Sequence, residues 1–92
     1  MRRIVRHPKY QETRNDLADK NPDILTHLDR LENRIAESPH WPTSFYLVAY
    51  DCWWSHLLVD DETIPHMRVF HAFDDDEVRF LAIVPADETD SP

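Results

Sequence analysis

The chain has 92 residues, enough for one small domain, and 41% of them are hydrophobic, which is too many for a disordered protein. Its net charge is −8, and residues 40–92 hold two basic against eleven acidic residues. Affinity for nucleic acid comes largely from neutralising phosphates, so this acidic half favours a basic protein as partner, or else serves solubility alone. The sequence contains no glycine, which excludes glycine-rich phosphate loops, dinucleotide fingerprints and the Gly-x-Ser-x-Gly elbow.

The sequence predicts a cytoplasmic protein. No apolar run approaches the ~20 residues that span a membrane. The basic N-terminus lacks the apolar segment of a secretory signal, and the single cysteine, Cys52, cannot form an internal disulfide.

The N-terminal third predicts a strand and two helices. Residues 2–7 indicate an edge or central strand that ends at Pro8, which is well placed to open a helix. Residues 9–19 predict that helix, with a thin apolar stripe of Tyr10 and Leu17.

A second helix is predicted to begin at Asn21, the expected N-cap, with Pro22 in its first position and Ser38-Pro39 at its end. Its apolar residues follow a 4-3-4 spacing: Ile24, Leu28, Leu31 and Ile35. This stripe indicates either a core face packed on a sheet or a short coiled-coil seam, and its length of barely two heptads favours the core.

The second half predicts a sheet. Residues 44–54 indicate a strand or a short helix leading into one, and three strands follow at 55–59, 66–73 and 78–84, joined by acidic turns. In the second of these, residues 67, 69, 71 and 73 share one face. The nearly all-apolar last strand predicts burial on both faces, and Pro65 indicates an edge or a bulge.

The predicted fold is therefore α+β, with an N-terminal strand, an αα-hairpin and an antiparallel three-stranded meander. Residues 1–85 form a single domain, and residues 86–92 form a polar C-terminal tail.

This pattern resembles the RelE/ParE toxins of bacterial toxin–antitoxin pairs, and the YoeB-like branch most closely. The likeness rests on the strand and helical hairpin ending at Ser38-Pro39, and on an aromatic strand, Trp53-Trp54-Ser55, before an acidic turn. It rests further on the strand Met67-Arg68-Val69-Phe70 and on the acidic turn that leads into the apolar strand 78–83.

The resemblance implies a growth-inhibiting toxin, of the kind associated with plasmid stabilisation, that a cognate antitoxin neutralises. Members of the family act by ribosome-dependent mRNA cleavage, as endoribonucleases, or by binding a target protein, as the ParE branch does. Arg68 matches the arginine that stabilises charge at the scissile phosphate in RNA-cleaving members. No His or Tyr stands at Pro85-Ala86-Asp87, where their acid/base lies, and no carboxylate stands at Thr43-Ser44-Phe45.

Arg68 is thus the first catalytic candidate, and His56, His66 or His71 could act as acid/base beside it. The alternative for Arg68 is an ion pair with Asp61, Glu62 or the acids of turn 74–77. A different class of function also fits the residues, a non-enzymatic acidic interaction module such as a degenerate toxin or an inhibitor that mimics nucleic-acid charge.

The sequence gives only weak indications of metal binding, of a reactive cysteine or of other chemical sites. The six histidines lack metal-ligand spacing, so we expect neither a metal nor another cofactor. Asp74 to Glu77 indicate a solvated turn, and Cys52 indicates a buried small hydrophobe. The aromatic residues from Trp41 to Trp54 indicate core, with or without a protein interface.

Overall fold

The computed structural model describes residues 1–38, 44–57, 64 and 66–85. Their strands are β1 (Arg3–Arg6), β2 (Ser44–Leu47), β3 (Cys52–Leu57), β4 (Met67–Phe73) and β5 (Glu77–Pro85). Their helices are α1 (Pro8–Lys20) and α2 (Ile24–Glu37), and one 3-10 turn spans Val48–Tyr50. Neither α-helix of the described ranges is long and apolar enough to cross a membrane.

The strands form one mixed sheet in the order β1-β5-β4-β3-β2. The segment β3-β4-β5 is the predicted antiparallel meander. β2 extends it antiparallel at one edge, and β1 pairs parallel with β5 at the other. The predicted α+β class is therefore confirmed, with a five-stranded sheet and two helices.

The starts of the helices follow from local chemistry, with one correction. Pro8 occupies the first turn of α1, and the Nδ1 of His7 accepts a hydrogen bond from the backbone N–H of Lys9 at 3.2 Å. The N-cap of α2 is Asp23 and its first residue is Ile24, so the predictions of Asn21 as N-cap and of Pro22 in the first helical position were wrong. Asn21 is instead the C-cap of α1. Its side-chain oxygen accepts a hydrogen bond from the Asp23 N–H, and this contact turns the chain between the two helices.

The apolar stripe of α2 is core, as the sequence favoured. Ile24, Leu28 and Ile35 are almost fully buried and Leu31 nearly so. They pack with residues of the sheet face that the helices cover: Met67, Val69, Val78, Phe80 and Ile83. This packing excludes a coiled-coil seam because the stripe has no surface left for a partner helix.

A buried carboxylate joins both helices to β1. Glu32 is 1% exposed, and its Oε1 accepts hydrogen bonds from Nε and Nη2 of Arg6 at 3.0 and 2.6 Å. Its Oε2 accepts from the Tyr10 hydroxyl at 2.7 Å and from Nε of Arg14 at 3.3 Å. Arg14 also pairs with Asp29. A buried charge is tolerated only when paired and hydrogen-bonded, and Glu32 meets both conditions.

The second half corrects two details of the prediction. Residues 44–54 form a strand, a 3-10 turn and the start of β3, rather than a single strand or helix. Asp51 provides the turn between them with φ of 49°, a left-handed conformation that Asp tolerates in a chain without glycine. β5 is buried on one face only, since Leu81, Ala82 and Val84 remain partly exposed. The bulge lies in β5, near residue 81, while Pro65 falls outside the described residues.

Candidate functional site

The two helices cover one face of the sheet and leave the other uncovered among the described residues. Strand alternation assigns the faces of β4: Met67, Val69 and His71 are buried toward the helices, and Arg68 and Phe70 point away from them. We call this second side the open face. Its central apolar residues are Leu47, Cys52, Phe70, Leu81, Ala82 and Val84.

The open face carries a concavity of about 630 Å³, lined by those six residues with Lys9 and Tyr50 at its margin. The bulge contributes to its shape. His71 pairs with Phe80 and Phe70 with Ala82, so Leu81 is the extra residue on β5. Leu81 and Ala82 consequently both line the concavity although they are neighbours in sequence. The result is an apolar depression of the size of a binding site, within the range of ~300–1,000 Å³.

Arg68, the first catalytic candidate, lies at one end of the open face. It is directly opposite His56 in the β3–β4 register, and its guanidinium carbon lies 4.7 Å from the centroid of the Trp54 ring. The His56 ring meets the same Trp54 edge-on at 5.0 Å. The structure therefore brings Arg68 and His56 together, and the Trp54 ring contacts both of them.

The other histidine candidates lie elsewhere. His66 is exposed and immediately precedes β4. His71 is 0% exposed and lies among the core aromatics, with ring centroids 6.2 Å from those of Phe73 and Phe80. A buried imidazole on the helix-covered face has no access to a substrate on the open face, so we exclude His71 as acid/base for Arg68.

Asp74 and Glu77 of the 74–77 turn pair with arginines other than Arg68. The Oδ1 of Asp74 accepts hydrogen bonds from the backbone N–H groups of Asp76 and Glu77 at 2.8 and 2.9 Å. These hydrogen bonds close the turn and lower the pKa of Asp74. Glu77 binds Arg3 at 2.7 Å and Arg79 at 2.9 Å. These contacts support a solvated turn. Asp61 and Glu62, the other partners suggested for Arg68, lie outside the described residues.

Cys52 is 5% exposed and unpaired. Burial, followed by the neighbouring Asp51, raises the pKa of its thiol. A nucleophilic cysteine needs the opposite shift, so the structural role predicted for Cys52 holds.

The aromatic residues divide between core and surface. Phe45 stacks on Trp54 with centroids 4.5 Å apart, and Tyr46 packs against Trp53. Phe45 and Tyr46 remain about half exposed and Tyr50 is 77% exposed. This exposure at the β2 edge favours core plus interface over core alone. Trp41 lies outside the described residues.

Sequence reasoning missed a second cavity, of about 190 Å³, at the β3 side of α2. Its lining residues are His27, Arg30, Leu31, Arg34, His56 and Leu57. The signal was available, because residues 27, 30, 31 and 34 share one helix face.

No group of three or more His, Cys, Asp or Glu side chains in the described ranges is placed to hold a metal ion. Comparisons of the chain with protein-family models, with characterised proteins and with solved structures found no match.

Proposed function

We propose that this protein is a RelE/ParE-like toxin of a bacterial toxin–antitoxin pair that inhibits growth by binding a target protein. The open face, with its apolar concavity of about 630 Å³, is the observation that carries the proposal. On this proposal the target inserts apolar side chains into the concavity, and the cognate antitoxin neutralises the toxin by covering the same surface.

The element order supports the relationship to these toxins. One strand, two helices and an antiparallel meander follow one another along the chain, as the resemblance implies. Arg68 lies on the penultimate strand of that meander, the position that the resemblance gave it.

The charge and the missing groups favour protein contact over RNA cleavage. Cleavage by a 2′-hydroxyl needs a proton acceptor, a proton donor and a group that stabilises phosphate charge. The sequence places no His or Tyr just after the last strand and no carboxylate in the spacer. Residues 40–92 hold eleven acids against two bases, which suits a partner whose contact segment combines apolar and basic residues.

A residual endoribonuclease is the second candidate, and one observation favours it. Arg68 and His56 lie opposite each other, and both contact the Trp54 ring. This arrangement offers a cation for a phosphate and one acid/base.

Inducible expression in a bacterium tests the proposal with three variants. Leu81→Asp places a charge in the concavity, and Thr26→Asp adds the same charge at an exposed position of α2 on the helix side. We expect the wild type, Thr26→Asp and Arg68→Ala to arrest growth without cleaving ribosome-bound message. Leu81→Asp should permit growth, because burying an unpaired carboxylate weakens an apolar contact by tenfold or more. Circular dichroism and protein levels establish that each variant folds and accumulates.

The other outcomes decide against the proposal. Arrest with message cleavage that Arg68→Ala abolishes would establish the endoribonuclease. Absence of arrest by the wild type rejects the toxin and leaves the acidic interaction module. Equal arrest by Leu81→Asp and Thr26→Asp would mean that the concavity is not the contact surface.

A further inference from the structure

We propose that the outer edge of β2 binds the same edge of a second copy of this chain, so that two sheets join into one across a two-fold axis. The pairing does not depend on the toxin proposal, because its contacts lie at the edge of the sheet rather than in the concavity. β2 pairs with β3 on one side, and no strand of the described residues lies on its other side. That side is a template on which a further strand can add.

The two edges of the sheet differ in how they are protected. β1, at the opposite edge, begins and ends with Arg3 and Arg6, and both arginines form ion pairs within the chain. β2 has the sequence SFYL, with no charge and no proline, and its register with β3 has no bulge. Charges, prolines and bulges are the features that keep edge strands from pairing. β2 is therefore the edge that can accept another strand.

The edge continues into an exposed apolar run, residues 45–50, which read FYLVAY. Four of these side chains are large, apolar and at least 46% exposed: Phe45, Tyr46, Val48 and Tyr50. At about 150–250 Å² for each aromatic side chain, the three rings leave roughly 350 Å² exposed in one copy and roughly 700 Å² in two. With Val48 and the strand backbone, the buried area approaches the ~1,000 Å² of a small specific interface.

Charge identifies a second copy as the partner. The chain has a net charge of −8, so two copies repel each other at most surfaces. Residues 44–50 carry no charge, and the first acid after them, Asp51, accepts a hydrogen bond from the Tyr46 hydroxyl. A basic partner is drawn to the acidic parts of the surface, whereas a neutral run is where two like-charged molecules can touch.

The alternation of β2 determines how the two copies pair. A two-fold axis perpendicular to the sheet makes the two edge strands antiparallel and keeps both open faces on the same side. Residues that pair across the axis then lie on the same face, so one residue pairs with its own symmetry mate. Tyr46 at the centre puts Phe45 opposite Leu47 of the second copy on the open face, and also brings Val48 opposite the second strand.

Analytical ultracentrifugation of the purified chain from about 1 to about 200 µM tests the proposal. We expect monomers at the low end and dimers at the high end, as for an interface at the small end of the specific range. Tyr46→Lys and Tyr46→Glu each place two like charges directly opposite each other, and each should weaken dimerisation by about tenfold or more. An equimolar mixture of the two variants should restore dimers, because the opposed charges then have opposite signs. Thr26→Lys, which adds a charge at an exposed position of α2, should dimerise as the wild type does.

Two further measurements separate the β2 edge from other contacts. Amide hydrogen exchange at residues 45–47 should slow as the protein concentration rises, and circular dichroism establishes that each variant folds. The proposal is overturned if the wild type stays monomeric at the highest concentration, or if Leu81→Asp abolishes the dimers, since the concavity is then the contact surface. It is also overturned if the equimolar mixture stays monomeric, because Tyr46 then does not meet its symmetry mate.

Discussion

Replacing Glu32 by glutamine tests the buried carboxylate that joins β1, α1 and α2. The change keeps the shape of the side chain and removes its charge. One carboxylate oxygen becomes an NH₂ group, which is a donor. Whichever way the amide turns, its NH₂ group faces other donors, either those of Arg6 or those of Tyr10 and Arg14, so one set of donors loses its acceptor.

The magnitude follows from what is left unpaired. Removing one partner of a buried ion pair costs about 3–5 kcal/mol. Arg6 is one-third exposed and can be partly solvated, whereas Arg14 is 11% exposed. We therefore expect the free energy of unfolding to fall by about 3 kcal/mol. At about 4–8 °C per kcal/mol for a domain of this size, the thermal midpoint should fall by roughly 12–24 °C.

Urea denaturation followed by tryptophan fluorescence measures the change, with Glu37→Gln as control. Glu37 is exposed at the end of the same helix, and the same chemical change there should alter stability by less than about 0.5 kcal/mol. The m-value should stay constant. A loss in Glu32→Gln within about 1 kcal/mol of the control would refute the reasoning, because the network would then contribute no more than a surface pair.

Two other variants probe pH dependence. Burial and the adjacent Glu32 raise the pKa of Tyr10 above its ordinary value of 10.0, so the unfolded chain releases this proton first and stability should fall as pH rises above 10. Tyr10→Phe should reduce that slope by up to about 1.4 kcal/mol per pH unit, as measured by urea denaturation from pH 8 to 11; an unchanged slope would contradict the burial of the hydroxyl. The backbone N–H groups of Asp76 and Glu77 lower the pKa of Asp74 from its ordinary value of 3.8, so its contribution is present above that pH and is lost as pH falls through the lower, folded-state pKa. Asp74→Ala should flatten the acid limb of the stability curve, and an acid limb identical to that of the wild type would show that the turn does not depend on this carboxylate.

The sequence by itself determined the two helices, the three-stranded meander, and the inward faces of α2 and β4. Pro8 opens α1 because its missing N–H is not needed there. The 4-3-4 spacing of α2 fixes its buried stripe, and alternation along β4 places Met67, Val69 and His71 in the core. These are local properties, set by side-chain periodicity and backbone chemistry, so a single sequence is enough to read them.

Contacts between residues distant in sequence were decided by the tertiary structure. Glu32 is an ordinary helix residue until β1 and α1 bring Arg6, Tyr10 and Arg14 around it. The pairing of Arg68 with His56 depends on the register of β3 and β4, and the concavity depends on the bulge at Leu81. The last strand could not be assigned one buried face from its apolar sequence, because composition does not tell whether a second layer covers the sheet. For the same reason, neither cavity could be predicted from the sequence, because each is formed by elements that only folding brings together.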